Sequence, residues 1–181
     1  MTEAAKTKMT AAAFARLPET TTPTELIHGE VIVSPSPRAT HQVIVVGLIV
    51  ILNEVATKGQ VNVSPLDVYL DEHNVVQPDV FWVSAGSTTC ALGEDDYWHG
   101  GPDLVVEVIS PGSTRRDKVT KFRLYEAHGV REYWLVDPEA GALEVWVRGE
   151  DDLFARQGLY TETFTSPVLG GVAVDIKDLW P

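Results

Sequence analysis

The chain has 181 residues, 44% of them hydrophobic and 22% charged, which is enough for one globular domain with a sizeable core. Its formal net charge of -12 argues against a broadly basic nucleic-acid-binding surface, because such affinity comes largely from Lys and Arg neutralising phosphates. The longest apolar run, Val43 to Leu52, is about half the roughly 20 residues a membrane span requires, so no membrane partner is expected.

The first 20 residues hold lysines and alanines but no continuous apolar core ending in a cleavage site. They read as a flexible tail or short helix, with a single domain over 21–181. The lone cysteine, Cys90, cannot form an internal disulfide, which fits a reducing, cytoplasmic setting. Glu25 to Val33 predicts a hairpin bent at His28-Gly29, with Glu30 opening its second arm. Prolines at 35 and 37 then block regular pairing.

Thr40 is a plausible N-cap for a helix from His41 to about Thr57. The segment is β-branched, but its length and lack of internal turn signals favour a buried helix. Its main apolar face would carry Ile44, Val45, Leu48, Ile51, Leu52 and Val55, although strand pairs are an alternative. Gln60 to Leu70 reads as a strand interrupted at Pro65, and Val75 to Val83 as the returning strand, with Asp79 set within it. Ser84 to Gly100 reads as a loop of about 17 residues, longer than a usual connection.

Leu104 to Ile109 is an apolar, β-branched run with one carboxylate, Glu107, in its middle. A lone charge in a buried strand is costly unless it is compensated. The run breaks at Ser110-Pro111-Gly112, and a helix is predicted from Thr114 to about His128, closed by Gly129. Glu132 to Val136 and Leu143 to Val147 read as paired strands, followed by strand-like segments at Tyr160 to Thr165 and Val172 to Ile176. The order of elements argues an α/β (α+β mixed) fold, a mixed sheet with helices on its faces.

Asp79 and Glu107 would meet on one sheet edge if their strands are neighbours. Two close carboxylates need a shared cation or a raised pKa, and oxygen ligands with open water positions suit Mg²⁺ or Mn²⁺. The five histidines are scattered, with no two at helix-ligand spacing, which disfavours a zinc hydrolase. Asp117, Lys121 and Tyr125 follow one helix face at intervals of four. Lys121 could stabilise negative charge on a phosphate, or merely pair with Asp117 on the surface for ~0.3–0.5 kcal/mol. Arg115, Arg116, Lys118, Lys121 and Arg123 form the only candidate basic patch, which could equally be a solvated helix face. Asp103 lies about 13 Å from Glu107 along an extended strand, too far to share one metal. Trp82, Trp134, Trp146 and Trp180 read as core.

The block PDLVVEVISPGSTRRDKVTKFRLYEAHGVREYWLVDPE, with ELIHGEVIVSPSP, the early His41 and QPDVFWV, resembles the Uma family of restriction-endonuclease-like proteins, over about Thr24 to Trp180. The resemblance implies the PD-(D/E)xK nuclease fold, a central mixed sheet flanked by helices, and a divalent-metal phosphodiesterase site using Mg²⁺ or Mn²⁺. It implies metal ligation and catalysis by Asp79 and Glu107. The E-x-K lysine position is occupied by Ile109, and Lys121 from the following helix stands as its replacement. Glu30 and His41 match accessory positions, and Tyr125 would order Lys121. Arg115, Arg116 and Lys118 would bind phosphate. The implied partners are nucleic acid, DNA before RNA, and a second copy of the chain as a homodimer. The alternative is a dimeric binding or regulatory relative whose acids are remnants.

Overall fold

The structure is a computed structural model that describes residues 8–18, 20–110 and 116–180. Its strands form two six-stranded mixed sheets and a separate hairpin. The first sheet has the order β2-β1-β5-β4-β8-β7. It is built from β1 (Thr24–Ile27), β2 (Glu30–Val33), β4 (Val68–Asp71), β5 (Asn74–Val76), β7 (Cys90–Leu92) and β8 (Trp98–Gly100). The second has the order β12-β11-β10-β9-β6-β3. It comprises β3 (Gly59–Val63), β6 (Val80–Ser84), β9 (Leu104–Val108), β10 (Glu132–Asp137), β11 (Ala142–Arg148) and β12 (Phe154–Tyr160). Strands β9 and β10 run parallel, and the other pairs of this sheet are antiparallel. The hairpin joins β13 (Thr163–Ser166) to β14 (Val172–Asp175).

Strand β9 is buried along its whole length because both faces of its sheet are covered. Leu104, Val106 and Val108 pack with the long helix α2 (Ala39–Val55) and with Trp134 and Val136. Val105 and Ile109 face the other way, among Leu124, Tyr125, Tyr133 and residues of the first sheet such as Ile27 and Val76. Glu107 shares the parity of this second face. Helix α2 buries Ile44, Val45, Leu48 and Leu52, each stabilising by ~1.5–3 kcal/mol for full burial. Ile51 and Val55 of the expected face pack only partly buried. Tertiary burial thus overrides the strand propensity of this β-branched segment.

Two expectations change. Val75 to Val83 is not one strand. It is β5 in the first sheet and β6 in the second, with Gln77-Pro78-Asp79 as the crossover. Proline has no N–H for a ladder, so pairing stops there. The long loop 84–100 contains the paired strands β7 and β8, held by Cys90↔Gly100 and Leu92↔Trp98. Of the two forms expected for the N-terminal stretch, its described part takes the short helix, α1 (Ala11–Phe14). Met9 N–H donates to Gly29, Ala11 N–H donates to Glu72, and Phe14 is buried.

The hairpin at His28-Gly29 forms as expected. Both residues have positive φ, 54° and 79°, the backbone of a tight two-residue turn. After β9, the described chain resumes with a π-helical segment (Arg116–Lys121) that runs into α3 (Phe122–Ala127). Gly129, at φ 79°, supplies the left-handed residue just past the helix. The start of the expected helix at Thr114 lies outside the described residues.

Candidate active site

The second sheet brings Asp79 and Glu107 together. Strand β6 pairs antiparallel with β9 through Val80↔Val106, Phe81↔Val105 and Trp82↔Leu104. Continuing this register by one residue sets Asp79 opposite Glu107, where cross-strand side chains on one face are neighbours. The ladder ends one pair short of this, and Asp79 turns its carboxylate toward β9. Asp79 Oδ2 accepts the Val108 N–H at 2.8 Å, which gives this strand-end donor a partner beyond the ladder.

His41, in the first turn of α2, lies 3.1 Å from the same Asp79 oxygen through Nε2. Burial works against a charged imidazole, but the hydrogen bond and negative charge of Asp79 outweigh it and raise the His41 pKa above 6.5. Its Nδ1 is buried without a hydrogen-bond partner among the described residues.

Glu107 is 3% exposed, and its compensation comes from the following helix. Lys121 Nζ donates to Glu107 Oε1 at 2.8 Å, and the Tyr125 hydroxyl donates to the same oxygen at 2.7 Å. Tyr125 thus bonds Glu107, and it shares one carboxylate oxygen with Lys121. Lys121 also lies 2.8 Å from Glu25 Oε1 on β1. Burial disfavours the ammonium charge, but Glu107 and Glu25 outweigh it and hold Lys121 above its ordinary range. Burial pushes Glu107 up to about 8, Lys121 pulls against that rise, and Asp79, Asp117 and Glu25 add to it. The surface Asp117–Lys121 pair is excluded, since Lys121 and Asp117 are each 2% exposed. Asp117 instead adds a further buried acid within electrostatic reach of Glu107, Lys121 and His41.

Glu25 is the residue that sequence reasoning missed. The early acid that enters the cluster is Glu25, whereas Glu30 is exposed on β2. The signal was present, because Glu25 precedes the buried Leu26 and Ile27 just as Glu107 interrupts an apolar run. Glu25 is itself held by the Gln77 N–H at 2.9 Å, and Gln77 Nε2 donates to Asp67 at 2.7 Å. The crossover that carries Asp79 therefore also fixes Glu25.

Arg115 lies outside the described residues. Arg116 Nε is 3.8 Å from Asp117 Oδ1. Lys118 is exposed and lines a surface groove with Phe122, Arg123 and Trp146. Two other acids are structural. Asp103 accepts the Ser84 N–H and the Arg131 guanidinium. Glu132 is wholly buried and accepts from Trp134, Ser166 and Val168, with the charge of Arg131 adding to those hydrogen bonds.

Among the described residues, the acids Glu25, Asp79, Glu107 and Asp117 outnumber Lys121, Arg116 and His41, and this excess of oxygen donors suits a cation. Among the described residues no group of three or more His, Cys, Asp or Glu side chains forms a metal cage. The donor set is thus two facing carboxylates, which fits a hard divalent ion that keeps several waters, as Mg²⁺ does.

The Uma2 family model, described as "Putative restriction endonuclease", matches residues 11–177. A crystal structure described as a putative nuclease belonging to DUF820 from Anabaena variabilis superposes with a TM-score of 0.76 at 20% identity. The match covers 95% of this chain and 97% of that one, a likeness of fold. No curated protein matches the chain.

Proposed function

The chain belongs to the Uma2 family, and from that premise we propose that it is a divalent-metal-dependent endonuclease that hydrolyses phosphodiester bonds in DNA. The observation that carries the reading is the Glu107 carboxylate, buried opposite Asp79 and held by Lys121 and Tyr125. A structural role alone would be served by an apolar residue, since a buried ion pair is seldom more stabilising than a hydrophobic one of similar size.

Asp79 and Glu107 would hold Mg²⁺ or Mn²⁺, which when bound supplies Lewis acidity toward the phosphate and lowers the pKa of a water ligand. The chain's own residues set the geometry. His41 and the Val108 N–H fix one oxygen of Asp79, and Tyr125 fixes one oxygen of Glu107. Lys121 brings a permanent positive charge into a low-dielectric site, where it can stabilise charge developing on the phosphate. Its charge is retained because two carboxylates share it. Arg115, Arg116 and Lys118 would meet the nucleic-acid backbone. We take residues 21–181 as one nuclease domain, acting as a homodimer. No helix among the described residues is long and apolar enough to cross a membrane, and the lone Cys90 is compatible with the cytoplasm.

A second reading, a binding relative without cleavage, is favoured by the net charge of -12 and by the engagement of Lys121 with two acids. One experiment separates the two. Supercoiled plasmid, single-stranded DNA and RNA are incubated with the protein and Mn²⁺ or Mg²⁺, with and without chelator. The nuclease reading expects chelator-sensitive cleavage of DNA, reduced by about 10²–10³-fold in Asp79→Ala, Glu107→Ala and Lys121→Ala. Cleavage that persists in all three folded variants overturns the site, and absence of cleavage from every substrate favours the binding relative.

A further inference from the structure

Glu25 stands apart from the other acids of the cluster. It comes from β1 in the first sheet, whereas Glu107 lies on β9 of the second and Asp79 in the crossover before β6. It is buried beside Leu26 and Ile27, and Lys121 compensates its charge. One oxygen, Oε1, meets Lys121 Nζ at 2.8 Å and accepts the Gln77 N–H at 2.9 Å. The crossover is itself secured, because Gln77 Nε2 donates to Asp67 at 2.7 Å and the Ser64 N–H donates to the Asp79 carbonyl at 3.2 Å. A backbone amide therefore fixes this acceptor for Lys121. Glu107 is bound differently. Its Oε1 accepts from both Lys121 and Tyr125, and its place on β9 is the one that the β6 register sets against Asp79. Glu107 cannot serve a divalent cation and Lys121 together without the two positive charges opposing each other.

We propose that Glu25 is a positioning residue: it anchors Lys121 from the first sheet, so that the ammonium keeps its place and its charge when Glu107 turns to a cation. An ammonium has three N–H donors, so Lys121 can hold both acids at once or lean on Glu25 alone. A lysine bonded only to Glu107 would have no second seat. Glu25 is not assigned as a cation ligand, because its Oε1 already meets an ammonium and an amide, and a further cation there would oppose Lys121. The consequence for cleavage rests on the nuclease reading, whereas the anchoring itself does not.

Proton–nitrogen correlation spectra of lysine ammonium groups follow Lys121 in the full chain without metal. Lys121 is 2% exposed, so its ammonium should exchange protons slowly, and the signal missing from Lys121→Arg identifies it. Glu25→Gln keeps the size and the acceptor for the Gln77 N–H but removes the charge. It should speed exchange of the Lys121 ammonium by about tenfold more than Glu107→Gln does. On DNA with Mn²⁺, Glu25→Gln should lower kcat by about 10²-fold while KM stays within about twofold, as expected for a misplaced group that acts in the transition state. Glu25→Asp, which keeps the charge on a shorter arm, should show both changes to a smaller degree, and it supplies the comparison if a thermal melt finds Glu25→Gln unfolded. Exchange that is equal in the two Gln variants, or faster in Glu107→Gln, overturns the anchoring. An unchanged kcat in folded Glu25→Gln overturns the positioning role. If the wild type cleaves nothing while the spectra behave as expected, the nuclease reading falls and the anchor stands.

Discussion

Lys121 reaches back 14 residues along the chain to place its ammonium 2.8 Å from Glu107 Oε1, with both side chains almost wholly removed from water. The same ammonium lies 2.8 Å from Glu25, so one cation serves two buried acids contributed by different sheets. Removing a single partner from such a group leaves uncompensated charge in a low-dielectric interior. Lys121→Met should therefore lower unfolding stability by about 3–5 kcal/mol. Lys121→Arg, which keeps the charge, should lose less. Adding Glu107→Gln to Lys121→Met should recover part of the loss, because it removes a buried acid left without its cation. Urea denaturation of the single and double variants measures each step, and a double variant no more stable than Lys121→Met would refute the coupling.

His41 and Asp79 make stability depend on pH in a defined direction. The His41 pKa is raised above 6.5 in the folded chain, so this contribution is complete below that value. It is lost as pH rises through the higher folded-state pKa. Denaturation midpoints followed upward from pH 6.5 should show a decline in the wild type that is absent from His41→Gln. Identical pH profiles for the two proteins would show that the pair is not linked to folding.

Glu107 should couple metal binding to proton release. Burial lifts its carboxyl to about 8, so at neutral pH a proton competes with a divalent ion for the site. Titration calorimetry in buffers of different ionisation enthalpy should detect protons released by Mn²⁺, and affinity should rise as pH approaches about 8. Glu107→Gln should lose both effects. An affinity independent of pH would argue against Glu107 as a ligand.

Asp103 offers a contrast at the opposite end of β9. Its carboxylate is 2% exposed and accepts from the Ser84 N–H and from Arg131, holding the end of β6 to the start of β9. Asp103→Ala strands the buried N–H and should cost about 1–3 kcal/mol, while Mn²⁺ affinity stays within error of the wild type. A matched loss of metal binding would mean that this end of the strand also shapes the site.

The sequence by itself determined the local grammar of the protein. Its apolar runs, the His28-Gly29 turn, the helix ending at Gly129 and the anomalous acids within strands were readable because each depends on neighbours in the chain. The placement of Glu107 in an apolar strand was legible for the same reason, as was the return of Lys121 and Tyr125 on one helix face, whereas Asp79 lies in the crossover just before β6. Tertiary structure decided what compensates those acids. Glu25 comes from the other sheet, and Gln77 fixes it at the crossover that divides Val75 to Val83 between two sheets. Periodicity reports which face of an element is buried, but not which element lies against that face. A buried charge needs a partner a few ångströms away in space, and only the packing of the two sheets brings Glu25 within reach of Lys121.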